Sequence, residues 1–168
     1  HLHFSPTEPS RFHFNKPENY ISMYHPEGSD TLYVGGRAMI YFAAQYADNM
    51  ISGMLEDDQE KYDRWDSELG FLTPILKGFL TEKGLEVAND GMQVFGGHGY
   101  IKEHGMEQIV RDARISTLYE GTTGIQALDL LGRKVMGSGG KLLANYTKLI
   151  HKFCQAHESD EAMQEFTA

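Results

Sequence analysis

Glu120 is the residue in this chain best placed to do chemistry. It stands in the run Tyr119-Glu120-Gly121-Thr122, at the junction of two stretches of helical periodicity. Upstream lies the glycine-dense run Gln93-Val94-Phe95-Gly96-Gly97-His98-Gly99-Tyr100. A carboxylate held at a turn just before a helix can be aimed into a cavity, and a glycine beside it lets the backbone turn there. Close-packed glycines allow a ligand to touch main chain, and a helix N-terminus attracts anionic groups. Together the two runs point to a proton-abstracting base beside a bound cofactor. Each also has a plainer explanation. Glu120 could simply complement the positive end of the following helix, worth around 0.3–1 kcal/mol. Gly96 and Gly97 could be a helix stop, and Thr122 an N-cap.

Other polar clusters invite structural explanations. Arg111, Asp112 and Arg114 share one short helix and are expected to form solvated ion pairs that fix the approach to residue 120, worth under about 1 kcal/mol. His98 and His104, with Glu103 and Glu107 near, match no standard metal-ligand spacing, so no metal is expected. Arg133-Lys134 at a helix end complements the helix dipole. Asn145-Tyr146-Thr147 is a formal glycosylation sequon, expected to stay unmodified.

Composition narrows the function classes. A net charge of −9 and a pI near 5.3 leave no clustered cationic surface for a phosphate backbone, so nucleic acid is not an expected partner. No segment approaches the ~18 continuous apolar residues of a membrane span. Cys154 is the sole cysteine, which excludes an intrachain disulfide and a CxxC site. The start, His1-Leu2-His3-Phe4, shows neither a secretory pattern nor an initiating Met, as expected of a processed form or a fragment.

These residues require helices to position them. Residues 1–28 hold four of the five prolines and no sustained period, and are expected to be an irregular leader. From Ser29 apolar and small residues recur at three- and four-residue steps (Leu32, Gly36, Met39, Ile40, Ala43, Tyr46, Ala47, Met50, Met54), which predicts a helix over about 29–55. Residues 56–68 form a solvated connection or short helix. Thr73-Pro74 looks like a helix start, leading into a stripe through Ile75, Leu76, Phe79, Leu80, Val87, Ala88, Met92 and Phe95. Gly78, Gly84 and Gly91 inside that helix should each cost about 1 kcal/mol, so something is expected to pack closely against them. Further helices are expected over 106–118 and 122–135, then a glycine break at 137–140 and a last amphipathic stretch frayed from His157. No strand alternation persists. The predicted architecture is all-α, an antiparallel bundle.

Residues 71–136 closely resemble the C-terminal helical domain of the acyl-CoA dehydrogenases, through three ordered motifs: QVFGGHGY, RDARI and YEGTTGIQALDLLGRK. The last motif is most similar to the larger bacterial-type branch, which includes methylthioalkanoyl-CoA dehydrogenases and carries an extra C-terminal domain. The resemblance divides the chain into the leader 1–28, a partial bundle 29–136, whose first helix matches more loosely, and the start of an extension at 137–168. It implies an incomplete flavoenzyme whose β-domain and N-terminal helices lie outside this sequence, so normally covered apolar surface should be exposed.

The reaction the resemblance implies is α,β-dehydrogenation of an acyl-CoA thioester, with Glu120 matching the family's base and hydride passing to flavin N5. A carboxylate suits the task, being a compact base whose strength an apolar, substrate-filled pocket can tune. Gln93, Val94, Phe95, Gly96 and Gly97 match the segment that touches the adenosine diphosphate half of FAD, typically that of a neighbouring subunit. Thr122 matches a threonine on the flavin's diphosphate side, while Tyr119 and Gly121 match positions lining the thioester pocket. Gly124 departs from the pattern, because many members place a glutamine that reaches FAD there. The implied partners are acyl-CoA, an electron acceptor such as electron-transfer flavoprotein, and further copies in a homodimer or homotetramer. The implied location is bacterial cytoplasm or mitochondrial matrix, without secretion. Three alternatives remain: a non-catalytic helical interaction or oligomerisation module, an acyl-CoA oxidase-like relative, and a DNA-associated relative that the acidic balance disfavours.

Overall fold

The computed structural model describes residues 29–160 and Met163, with side chains from Val34 onward. The leader expected over 1–28 lies outside these residues. Among the described residues the regular elements are all helical. They are α1 (Ser29–Leu55), α2 (Gln59–Phe95), the single turn α3 (Gly97–Tyr100) and a 3-10 turn (Lys102–His104). Then come α4 (Met106–Ser116), α5 (Thr123–Leu128), a π-helix (Asp129–Met136) and α6 (Lys141–His157). The all-α expectation holds.

The chain divides into two compact units. Among the described residues the first takes 29–44 with Leu76–Thr123, the second Gln45–Ile75 with 124–160.

In the second unit the end of α1 and the start of α2 form a helical hairpin. Asp57, at φ 56°, turns the chain, and the Asp58 carboxylate accepts from the Lys61 amide at 2.9 Å, capping α2. Gly53 is required by the close approach of the two helices: a Cβ there would stand 2.7 Å from the Tyr62 amide nitrogen. Further from the turn Tyr46 meets Trp65 edge-on at 4.9 Å. Helix α6 docks on α2 through Asn145, whose Nδ2 donates to Glu68 at 2.8 Å, and through Tyr146 against Phe71 at 5.6 Å. The sequon asparagine is therefore engaged in packing. Arg133 reaches back to Asp129 at 3.4 Å. The break before α6 falls where the glycines stand, with Gly139 and Gly140 at φ 61° and 80° and the Gly140 amide donating to Val135 O at 2.8 Å.

The expected helix start at Thr73-Pro74 is corrected: α2 begins at Gln59 and runs through both residues. Asp58 supplies the cap that the sequence reading assigned to Thr73. Instead, the Thr73 hydroxyl donates back to Leu69 O at 2.9 Å, and the Pro74 ring is buried. Pro74 has no amide for the Gly70 carbonyl, so burial of the ring must offset one lost ladder bond.

In the first unit Gly36 of α1 faces Leu80 of α2, where a Cβ would come within 3.1 Å of the leucine methyl. Of the three glycines expected to be packed, Gly91 is, with Met106 Cε 2.9 Å from a Cβ position. Gly78 has an ordinary 3.8 Å approach to the Thr123 methyl, and Gly84 meets nothing within 4 Å. The core is thin. Ala43, Ala88 and Met106 are buried in this unit, and Phe71 and Leu72 in the other.

Candidate active site

The turn that carries Glu120 is built by the end of α4. Amides of Leu118 and Tyr119 both donate to Ile115 O, at 3.0 and 3.2 Å, which tightens the last turn of the helix. Thr117 is buried, donates to Arg114 O at 3.0 Å and accepts from Arg114 Nη1 at 3.1 Å. The ion pairs expected among Arg111, Asp112 and Arg114 are replaced by local bonds. Asp112 accepts from Gln108 at 2.6 Å and Arg114 turns to Thr117. Residues one or two apart point to different sides of a helix, so this triplet could not pair with itself.

The chain then enters the left-handed region twice, with Glu120 at φ 54° and Gly121 at φ 92°. Gly121 suits that conformation, whereas for glutamate it costs roughly 1–2 kcal/mol. The contrast with Asp57 is informative, since aspartate tolerates the same region by bonding locally. The surroundings over-determine the strained residue. Lys77 Nζ donates to the Gly121 carbonyl, and the Thr123 hydroxyl donates to Glu82 Oε1 at 2.5 Å. Buried Gly78, one residue from Lys77, lies under the Thr123 methyl, which would be 3.8 Å from a Cβ there, an ordinary contact. Two side chains of α2 thus grip the turn just after Glu120, at residues 121 and 123.

Tyr119, Glu120 and Thr122 are exposed, with Gly121 half-buried. Helix α5 begins at Thr123, one residue after Thr122. Gln93 is exposed on the last turn of α2, Val94 and Phe95 are half-buried, and Gly96 and Gly97 are exposed. Gly96 has φ 57°, and open space lies where a Cβ of either glycine would stand. The Gly96 amide donates to Gln93 O at 3.0 Å, so a ligand would meet this residue through its bare Cα face. The Phe95 and His104 rings lie 6.4 Å apart, and His98 meets His104 at 5.3 Å. Among the described residues no group of three metal-ligating side chains comes together.

The Glu120 turn and the 93–97 segment share the first unit but occupy different stations on it. The turn is gripped at Lys77–Glu82, and Gln93 lies about three helical turns further along α2, ~16 Å on the axis. A groove of about 860 Å³ belongs to the second unit. Aromatic Tyr46, Trp65 and Tyr146 line it with lysines of α6, and none of the predicted site residues does.

Sequence reasoning missed Lys77 and Glu82. The signal that could have found them was Gly78, expected to be a closely packed helix glycine, which lies in the chain between Lys77 and Glu82.

The family model for the acyl-CoA dehydrogenase C-terminal domain matches residues 31–136, more than half of the chain. The chain belongs to the acyl-CoA dehydrogenase family. The match takes in α1 as well as the three motifs and ends at Met136, where the π-helix ends. Among relatives, 3-methylmercaptopropionyl-CoA dehydrogenase of Ruegeria pomeroyi is 45% identical over 116 residues, covering 69% of this chain and 19% of that protein. The broad-specificity linear acyl-CoA dehydrogenase FadE5 of Mycobacterium tuberculosis is 32% identical over 119 residues, covering 71% and 19%. Butyryl-CoA dehydrogenase of Syntrophomonas wolfei is 27% identical over 130 residues, covering 77% and 21%. This acyl-CoA dehydrogenase chain thus spans about a fifth of the length of these relatives. No helix among its described residues is long and apolar enough to cross a membrane.

Proposed function

We propose that this chain is the base-bearing portion of an FAD-dependent enzyme that dehydrogenates an acyl-CoA thioester between its α and β carbons, with Glu120 removing the α proton. The observation that carries the reading is the backbone of Glu120. A glutamate kept at φ 54°, with the segment that follows it gripped twice from α2, is held against its own preference, and such strain persists where a side chain must be aimed.

FAD, when bound, supplies the acceptor for the hydride that leaves the β carbon as the double bond forms. The residues of this chain fit one edge of such a group. Gly96 and Gly97 offer an exposed backbone with no side chain in the way, and the Gln93 amide stands beside them. Thr122, exposed just before α5, can bond an anionic group there. The ~16 Å between the two stations suits a long cofactor, or two cofactors of neighbouring subunits, better than a single compact ligand. Tyr119 and Gly121 flank the base and would meet the thioester.

Glu120 is exposed, so the apolar enclosure that a proton-abstracting carboxylate needs comes from polypeptide beyond this fifth of the enzyme. Turnover by the 168 residues alone is therefore not expected. Glu120→Gln in the FAD-loaded enzyme should abolish exchange of the substrate α proton with solvent and bleaching of the flavin, while FAD stays bound. Normal turnover by that variant would discard the assignment. Oxygen consumption in place of transfer to an electron-transfer flavoprotein would make the enzyme an oxidase.

A further inference from the structure

We infer that Lys77 and Glu82 are positioning residues for Glu120: a two-point clamp on α2 that holds the base in its left-handed conformation. The inference rests on the reading of Glu120 as the base. Lys77 Nζ donates to the carbonyl of Gly121, immediately after Glu120, and Glu82 accepts from the hydroxyl of Thr123, three residues after it. The two anchors are five residues apart on one rigid helix, and their partners are two residues apart on the turn. The clamp therefore fixes both the 121–122 peptide, one residue beyond Glu120, and the first residue of α5. Between them the Thr123 methyl lies over Gly78, 3.8 Å from where a Cβ would stand, an ordinary contact distance.

Each anchor acts on backbone geometry rather than on the carboxylate itself. Lys77 fixes the orientation of the 121–122 peptide, and with it the rotation that Gly121, at φ 92°, would otherwise leave free. Glu82 fixes where α5 begins. Loss of either anchor lets Glu120 relax toward right-handed conformations, which swings its side chain away from the substrate. Misplacement of a reacting group by about 1 Å costs on the order of a hundredfold in rate.

The test uses the complete FAD-loaded enzyme and reads α-proton exchange, kcat, KM and amide hydrogen exchange across residues 118–124. Lys77→Met and Thr123→Val should lower α-proton exchange and kcat about tenfold to a hundredfold, with KM and bound FAD little changed. Amide exchange across the turn should rise in the same variants, even without substrate. Lys77→Arg and Thr123→Ser keep a donor and should recover most of the rate. Glu82→Gln keeps an acceptor oxygen and should behave like wild type, whereas Glu82→Ala should not. If Lys77→Met does not fold, the Glu82 and Thr123 pairs carry the same comparison from the other anchor. Wild-type exchange in these variants, beside a dead Glu120→Gln, would overturn the clamp and leave the base intact. Undiminished exchange in Glu120→Gln would overturn the base reading and the clamp with it.

Discussion

The Glu120 turn shows a residue kept where its own backbone preference opposes it. Left-handed geometry costs a glutamate roughly 1–2 kcal/mol that glycine would not lose. Glu120→Gly should therefore raise stability by about 1 kcal/mol in urea denaturation while eliminating α-proton exchange. A variant that is both less stable and still active would remove the argument from strain. The sequence made the identity of this residue legible, because a glutamate followed by glycine at a helix junction is visible as letters. What it hid was the grip. The partners Lys77 and Gly121 are 44 positions apart and Thr123 and Glu82 are 41 apart, and no local period links them. The expected ion pairs of 111–114 failed for a different, local reason: charges one or two residues apart on a helix do not share a face.

At the scale of elements, periodicity recovered helices wherever one face is apolar, and it failed where a cap decided the boundary. Helix α2 starts at Gln59 because Asp58 caps it, although the following residues are polar enough to resemble a loop. The hairpin that precedes it is stapled by Lys61, which bonds Ser52 at 2.9 Å and Glu56 at 2.8 Å. The Lys61 bond, aided by the Ser52 hydroxyl, holds the Glu56 carboxyl below its ordinary value of 4.5. A lowered folded value means that the contribution is whole above pH 4.5 and is lost as pH falls through the lowered value. Glu56→Gln should thus lower the unfolding midpoint at pH 7, and the difference should narrow as the pH is taken down through the lowered value. An equal deficit at every pH would contradict the staple. The glycines give a sharper contrast. A Cβ at Gly99 would stand 2.5 Å from the Met92 carbonyl oxygen, which cannot move without breaking α2, whereas at Gly84 it meets nothing within 4 Å. Gly99→Ala should cost about 1–3 kcal/mol and Gly84→Ala should gain up to about 1 kcal/mol. Chemical denaturation of the two variants separates these signs, and equal effects would contradict the packing described.

Among the described residues the stripe of α2 is mostly half-buried, but the apolar stripes of the later helices are largely uncovered. Along α5 and the π-helix, Ile125, Leu128 and Leu131 recur at intervals of three and are 55%, 69% and 59% exposed, so among the described residues this face stays largely uncovered. The later stripe residues Leu143, Leu149, Ile150 and Phe153 of α6 are exposed as well. This is why sequence periodicity located the helices and yet overstated the core: it reports that a face is meant to be buried, without saying which polypeptide buries it. Contiguous apolar surface of this kind marks an interaction site, and the chain represents about a fifth of the length of its relatives. The 168 residues by themselves should therefore associate as concentration rises and bind an apolar dye such as anilinonaphthalene sulfonate. Leu128→Lys combined with Leu131→Lys should shift sedimentation toward monomer and lower dye binding, with helical circular dichroism preserved because neither side chain is buried. A wild-type chain that sediments as one monomeric species at every concentration, and binds no dye, would show that this surface is not an interface. In that case the oligomerisation reading would fall, while the Glu120 chemistry would be untouched.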